Sequence, residues 1–169
     1  MSAGAPAGPV RAYLLLGSNL GDRATLLRDA RARLAEAVGE VVAESGIYET
    51  AAWGREDQPP YLNQAVTVDT WLQPEALLAA CLAVEQQAGR ERRERWGSRT
   101  LDVDVLFHGQ AIIASPMLTV PHPRLAGRRF ALVPLAEIAP DLHHPVLGLR
   151  AAELLARCPD PLPVRRWPA

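Results

Sequence analysis

The chain has 169 residues, 49% of them hydrophobic and 22% charged, which suits one domain with its own core, and the formal net charge of −1 gives no global pull toward nucleic acid or an anionic membrane. All 18 basic residues are arginine, so neither a P-loop, which needs GxxxxGK, nor lysine Schiff-base chemistry can be built. The two cysteines make no disulfide framework and no zinc site, and no apolar run approaches the roughly 18 residues of a membrane span.

Residues 1–9 are Ala, Gly, Pro and Ser after the initial Met, with no pattern, and are expected to form a flexible tail. They show neither the basic nor the apolar region of a signal peptide, so a cytoplasmic setting is expected. Residues 10–169 are expected to form a single domain. An apolar run at 10–16 ends in Gly17-Ser18-Asn19 and reads as a strand entering a turn. From Asp22 the period changes to helical, with Leu26, Ala30, Leu34, Ala37 and Val38 as the stripe and Gly39 closing it. Residues 41–50 read as a second strand, 51–60 as a loop with Gly54, Pro59 and Pro60, and 61–70 as an alternating third strand. Pro74 opens a second helix at a position where proline is tolerated, with Leu77, Leu78, Cys81, Leu82, Val84 and Ala88 on its apolar side and Gly89 at its end.

Residues 90–107 carry the densest information: RERRERWGSRTLDVDVLF. Five arginines and Trp96 run into a fourth strand, expected over 100–107. Strand side chains alternate, so Asp102 and Asp104 point the same way. Two neighbouring carboxylates repel unless a cation lies between them. Mg²⁺, a hard ion that keeps few protein ligands and takes substrate phosphates, fits such a pair. Arginines supply the complementary grip on phosphate oxygens. Taken alone, such a pair is more often a solvated strand face than a metal site. His108 is expected on the same face, but about 13 Å from Asp104 at roughly 3.3 Å per residue, too far to share its metal.

The element order β-α-β-β-α-β predicts an α+β fold with a ferredoxin-like core, an antiparallel sheet with two helices on one face. After Gly109 the pattern predicts C-terminal additions: a short strand at Ile112-Ile113, a proline-punctuated loop over 119–128, and helices at 130–138 and 149–156.

Four ordered blocks, GSNLGDR (17–23), YETAAWG followed by DQPPYLNQAV (48–54, 57–66), RWGSRTLDVDVL (95–106) and LTVPHPRL followed by RRFALVPLAEIAPD (118–125, 128–141), resemble 6-hydroxymethyl-7,8-dihydropterin pyrophosphokinase of folate biosynthesis. The resemblance implies transfer of a diphosphate from ATP to the pterin hydroxymethyl group, with release of AMP and use of two Mg²⁺. It makes Asp102 and Asp104 the metal ligands and, with Arg90 and Arg99, the catalytic set. It assigns ATP contacts to Glu85, Arg92, Trp96, Arg99, His122 and Arg128, and the pterin pocket to Thr50, Ala51, Trp53, Tyr61, Asn63, Trp96 and Phe130. Asn63 has an amide donor and acceptor for the amide-like pterin edge, and Tyr61 and Phe130 can stack on the ring. Gly17, Ser18 and Asn19 are implied to form a structural turn near the pterin. The chain departs from the family pattern at Ser98, where proline is usual, at Ala51-Ala52-Trp53, where some relatives have Pro-Pro-Leu, and at Leu82, where some have glutamine. The partners implied are the two small substrates, with no nucleic acid, no membrane and a monomeric chain.

The competing reading is a nucleic-acid- or nucleotide-binding ferredoxin-like module without catalysis, supported by the arginine run. Against it, RNA-binding versions of the fold expose aromatics on central strands, whereas this strand exposes Asp102 and Asp104.

Overall fold

Val10–Ser18 forms β1, an interior strand of the main sheet. The computed structural model describes residues 8–51, 58–89 and 100–168. Helix α1 (Arg23–Ala37) follows, capped by Asp22, whose carboxylate accepts the Thr25 N–H at 3.2 Å. Then come β2 (Gly39–Glu44), β3 (Ile47–Thr50), β4 (Tyr61–Thr70), α2 (Pro74–Gln87) and β5 (Asp102–His108). A two-stranded ribbon of β6 (Ile113–Ala114) and β7 (Thr119–Val120), a 3₁₀ turn at Leu125–Gly127, α3 (Arg129–Ile138), α4 (Ala151–Ala156) and β8 (Arg165–Trp167) complete the order.

The main sheet runs β5-β1-β4-β3-β8, with β2 also on β4, and its pairings are antiparallel. The strand expected over 41–50 is therefore two strands end to end along β4. The break is stitched at Ser45, whose N–H donates to Ala65 O at 2.9 Å, whose Oγ accepts from Ala65 N at 3.0 Å, and whose carbonyl accepts the Gln64 amide at 2.7 Å. Gly39 is required where β2 begins: with φ of +153°, a Cβ there would lie 2.1 Å from Asp69 O.

The two helices of the expected core, α1 and α2, share one face of the sheet, and the C-terminal helices take the other. Leu14, Leu16, Leu62, Val66 and Val68 pack with Leu27 and Leu34 of α1 and with Leu77, Cys81 and Val84 of α2. Leu15, Leu106 and Phe107 on the other side pack with Leu132 and Leu135 of α3 and Leu154 of α4. Helices thus cover both faces. This explains why β4 is buried along nearly its whole length although its apolar residues alternate.

A correction concerns His108. Tyr13 pairs with Phe107 but Leu14 with Val105, so Leu106 is an extra residue, a β-bulge. The bulge shifts the alternation by one. His108, paired with Ala12, turns to the α1–α2 side, where its Nε2 meets Leu72 O at 2.9 Å. It leaves the Asp102–Asp104 face altogether.

Candidate active site

Asp102 pairs with Gly17, and Gly17 pairs with Asn63, so three adjacent strands set a carboxylate, a bare backbone position and an amide in one row. Directly opposed residues of antiparallel strands share a face. In the next row on that face Asp104 pairs with Leu15. Val103 and Val105 alternate with the aspartates and point into the α1–α2 core. The β5 sequence therefore fills the core with one side and presents carboxylates with the other.

A cleft of about 190 Å³ lies over this row, lined by Leu15, Gly17, Thr50, Ala51, Gln58, Tyr61, Asn63, Asp102, Asp104, Arg128 and Phe130. Eight of the residues implied by the sequence resemblance meet here: Thr50, Ala51, Tyr61, Asn63, Asp102, Asp104, Arg128 and Phe130. Thr50 and Tyr61 are a registered pair of β3 and β4. The Asn63 amide N–H donates to Thr50 Oγ1 at 3.2 Å, in the interior. Its Oδ1 lies over Gly17, where a side-chain carbon would come within 3.0 Å of it. Gly17 is thus the floor of the cleft, a role beyond the turn that the sequence suggested. Leu15 and Gln58 are lining residues that sequence reasoning missed; the strand register that pairs Leu15 with Asp104 is the signal that finds the first.

Arg128 is half-buried beside Phe130, its guanidinium 5.6 Å from the ring centre. Burial lowers its pKa, Asp104 raises it and Arg124 lowers it, yet an arginine stays protonated. A fixed cation therefore stands near the carboxylate row.

His122 lines a neighbouring cleft, with Leu78, Val103, Asp104, Val105 and the segment from Ser115 to Thr119. Asp104 belongs to both clefts. The His122 backbone N–H donates to Leu106 O at 2.9 Å, so the bulge residue anchors this loop. Its Nδ1 accepts the Arg124 N–H at 3.2 Å, which leaves the proton on Nε2. Burial, then Arg128 and Arg124, push its pKa down to about 4, so it is neutral at pH 7.

Glu85 is buried in α2 and lines neither cleft. Its carboxylate accepts the Val103 N–H at 2.9 Å, between the two aspartates. This bond ties α2 to the strand that carries them. Cys81, one turn earlier, is a core residue whose thiol is pushed up to about 12 by burial, with Glu85 and Asp104 adding to it. Arg90, Arg92, Trp96, Arg99 and Trp53 lie outside the described residues, as do Arg93, Arg95 and Ser98.

A metal fits the chemistry of this donor set. Among the described residues no group of three or more His, Cys, Asp or Glu gathers. Mg²⁺ needs no all-protein cage and is ordinarily held by one or two carboxylates plus substrate phosphates. Asp102 and Asp104 beside an open cleft are such a pair.

Comparison with known proteins agrees with the geometry. The family model of 7,8-dihydro-6-hydroxymethylpterin-pyrophosphokinase (HPPK) matches residues 13–140. The chain is 47% identical over 157 residues to the 2-amino-4-hydroxy-6-hydroxymethyldihydropteridine pyrophosphokinase of Methylorubrum extorquens, covering 92% of this chain and 98% of that protein. It is 48% identical over 128 residues to the protein of the same name from Bacillus subtilis, covering 75% and 77%. Among solved structures it resembles Plasmodium falciparum wild-type HPPK-DHPS crystallised with pteroate, with a TM-score of 0.67, 17% identity and 88% of this chain covered. At that identity the likeness is one of fold, and this chain spans 42% of the solved one.

Proposed function

The chain belongs to the 7,8-dihydro-6-hydroxymethylpterin-pyrophosphokinase family, and we propose that its cleft transfers the diphosphate of ATP to the hydroxymethyl group of 6-hydroxymethyl-7,8-dihydropterin. It is a pyrophosphokinase of folate biosynthesis. The observation that carries the proposal is the row Asp102–Gly17–Asn63: a carboxylate and an amide separated by a side-chain-free floor, within one cleft.

In this reading the Asn63 Oδ1 accepts an N–H of the pterin edge, while the Thr50 hydroxyl orients the Asn63 amide. Tyr61 and Phe130 face the ring, and Gly17 leaves room for it. Asp102 and Asp104 would hold two Mg²⁺, which when bound would neutralise phosphate charge and polarise phosphorus. Arg128, fixed beside Asp104, takes phosphate charge, and the neutral His122 offers its Nε2–H. The pterin hydroxyl oxygen bonds to the β-phosphorus, the bond from that phosphorus to the α–β bridging oxygen breaks, the hydroxyl proton is lost and AMP departs. Positioning and charge stabilisation are what such a transfer asks of the protein. Arg90, Arg92, Arg99 and Trp96 join from outside the described residues. Glu85 acts on ATP through the position of β5. The sheet order is read as a ferredoxin-like core with C-terminal additions, and the chain as a cytoplasmic monomer.

Product analysis tests this. Incubation with ATP, Mg²⁺ and the pterin should give AMP and pterin diphosphate in equal amounts, dependent on both Mg²⁺ and pterin. ADP with a monophosphorylated pterin would keep the site and overturn the reaction. No turnover by folded protein would favour the non-catalytic binding module.

A further inference from the structure

Arg23 lies outside both clefts, yet it joins three segments that meet beside the first one. Its Nη1 donates to Glu49 Oε2 at 2.8 Å and to Pro60 O at 2.9 Å. Glu49 is the penultimate residue of β3 and precedes Thr50; Pro60 precedes Tyr61. One guanidinium nitrogen therefore grips the two ends of the 51–60 connection, at the points from which Thr50 and Tyr61 enter the cleft. Its guanidinium carbon stands 5.9 Å from the ring centre of Trp167. Trp167 is the last residue of β8, which is laid on β3 through Ile47↔Trp167, Tyr48↔Arg166 and Glu49↔Arg165. Asn19 adds a bond to the same end, its amide N–H donating to Pro59 O at 3.2 Å.

From this geometry we propose that Arg23, seated on Trp167 of the C-terminal strand, is a positioning residue that sets the pterin-facing wall of the cleft. The family model ends at residue 140, so Trp167 is a contribution from a part of the chain beyond that match. The inference rests on the reading of this cleft as the pterin site. Arg23 side-chain exposure is 23% and that of Glu49 is 34%, so the pair is partly withdrawn from solvent rather than a free surface ion pair. Loss of the grip loosens Thr50 and Tyr61, and through Thr50 the orientation of the Asn63 amide. Asp102, Asp104 and His122 lie on elements that Arg23 does not bridge. The effect therefore falls on the pterin and spares ATP.

The test is steady-state kinetics on the full chain, varying pterin and MgATP separately, with a thermal melt of each variant. Arg23→Gln should raise the pterin KM about tenfold, and Trp167→Ala about threefold, the scale of a lost charge-assisted bond and a lost cation–π contact. The ATP KM should stay within about twofold of wild type. Arg23→Lys, which keeps the charge and several donors, and Trp167→Phe, which keeps a ring, should recover most of the pterin KM. Pterin KM unchanged in folded Arg23→Gln overturns the inference, as does an equal rise of the pterin and ATP KM values. A wild-type enzyme without saturable pterin dependence instead overturns the pterin reading of the cleft, and the inference with it.

Discussion

Neighbouring positions of β1 show two uses of one sheet. Leu14 and Leu16 point into a closed apolar layer sealed by α1 and α2. On the opposite side Leu15 meets α3 and α4, but two residues later Gly17 has no side chain, and its partners there are Asp102 and Asn63. The closed face is continuous and carries stability. The other face is sealed at one end by Phe107, Leu132 and Leu135 and left open at the other, where polar groups collect. Polar residues in the sealed layer would cost free energy without partners; at the open end such residues line a cleft. The cleft is thus the place where the second layer of helices stops short.

The comparison can be broken most sharply at the carboxylates. Asp104→Ala and Asp102→Ala should each lower kcat by at least about 10²–10³-fold, the scale for losing one preorganised charge partner, with the melting curve nearly unchanged. On the closed face the reverse is expected. Leu14→Ala, fully buried, should cost about 2–5 kcal/mol of stability while leaving KM for both substrates intact in the folded fraction, as read by denaturant unfolding and kinetics. Glu85 joins the two regions. Glu85→Leu should strand the Val103 N–H and cost about 1–3 kcal/mol together with a fall in kcat, whereas Glu85→Gln keeps an acceptor and should recover most of both.

Smaller effects sharpen the picture. Gly17→Ala brings a methyl group to 3.0 Å from Asn63 Oδ1, so the pterin KM should rise several-fold with little change in melting temperature. His122 has its native pKa pushed below the ordinary value, to about 4. Between about pH 6.5 and about pH 4 the unfolded chain therefore binds more protons than the folded one, and stability is lost as pH falls through that window. His122→Gln should remove that part of the pH dependence, measured as melting temperature against pH. Cys81, pushed up to about 12, should react with a thiol reagent only as fast as the protein opens.

The sequence shows some of this plainly and hides the rest for physical reasons. Asp102-Val-Asp104 reads directly as one face of a strand because alternation is local. The β1, α1, β4 and α2 segments are legible from their periods and from Asp22, Pro74 and Gly89 as punctuation. The turn of His108 away from that face is not legible, because the bulge at Leu106 is set by pairing with β1 and leaves no residue-type mark. The split of 41–50 depends on Ser45 meeting Gln64 and Ala65, a contact between distant segments. The second layer of helices is hidden in β4, where Asn63 and Thr67 look like a wet face but are buried. β8, three residues long, has too little sequence to show a period, and Arg23 gains its meaning only when β3, β4 and β8 meet around it.

The central claim is that one open end of the sheet holds a pterin half and a phosphate half side by side. The most direct test compares Asn63→Ala with Asp104→Ala, measuring equilibrium pterin binding and Mg²⁺-dependent AMP release on both. The expected result is that Asp104→Ala still binds pterin but releases almost no AMP, while Asn63→Ala binds pterin poorly and keeps its Mg²⁺ dependence. Equal loss of both properties in the two variants, or no loss in either, would contradict the division of the cleft.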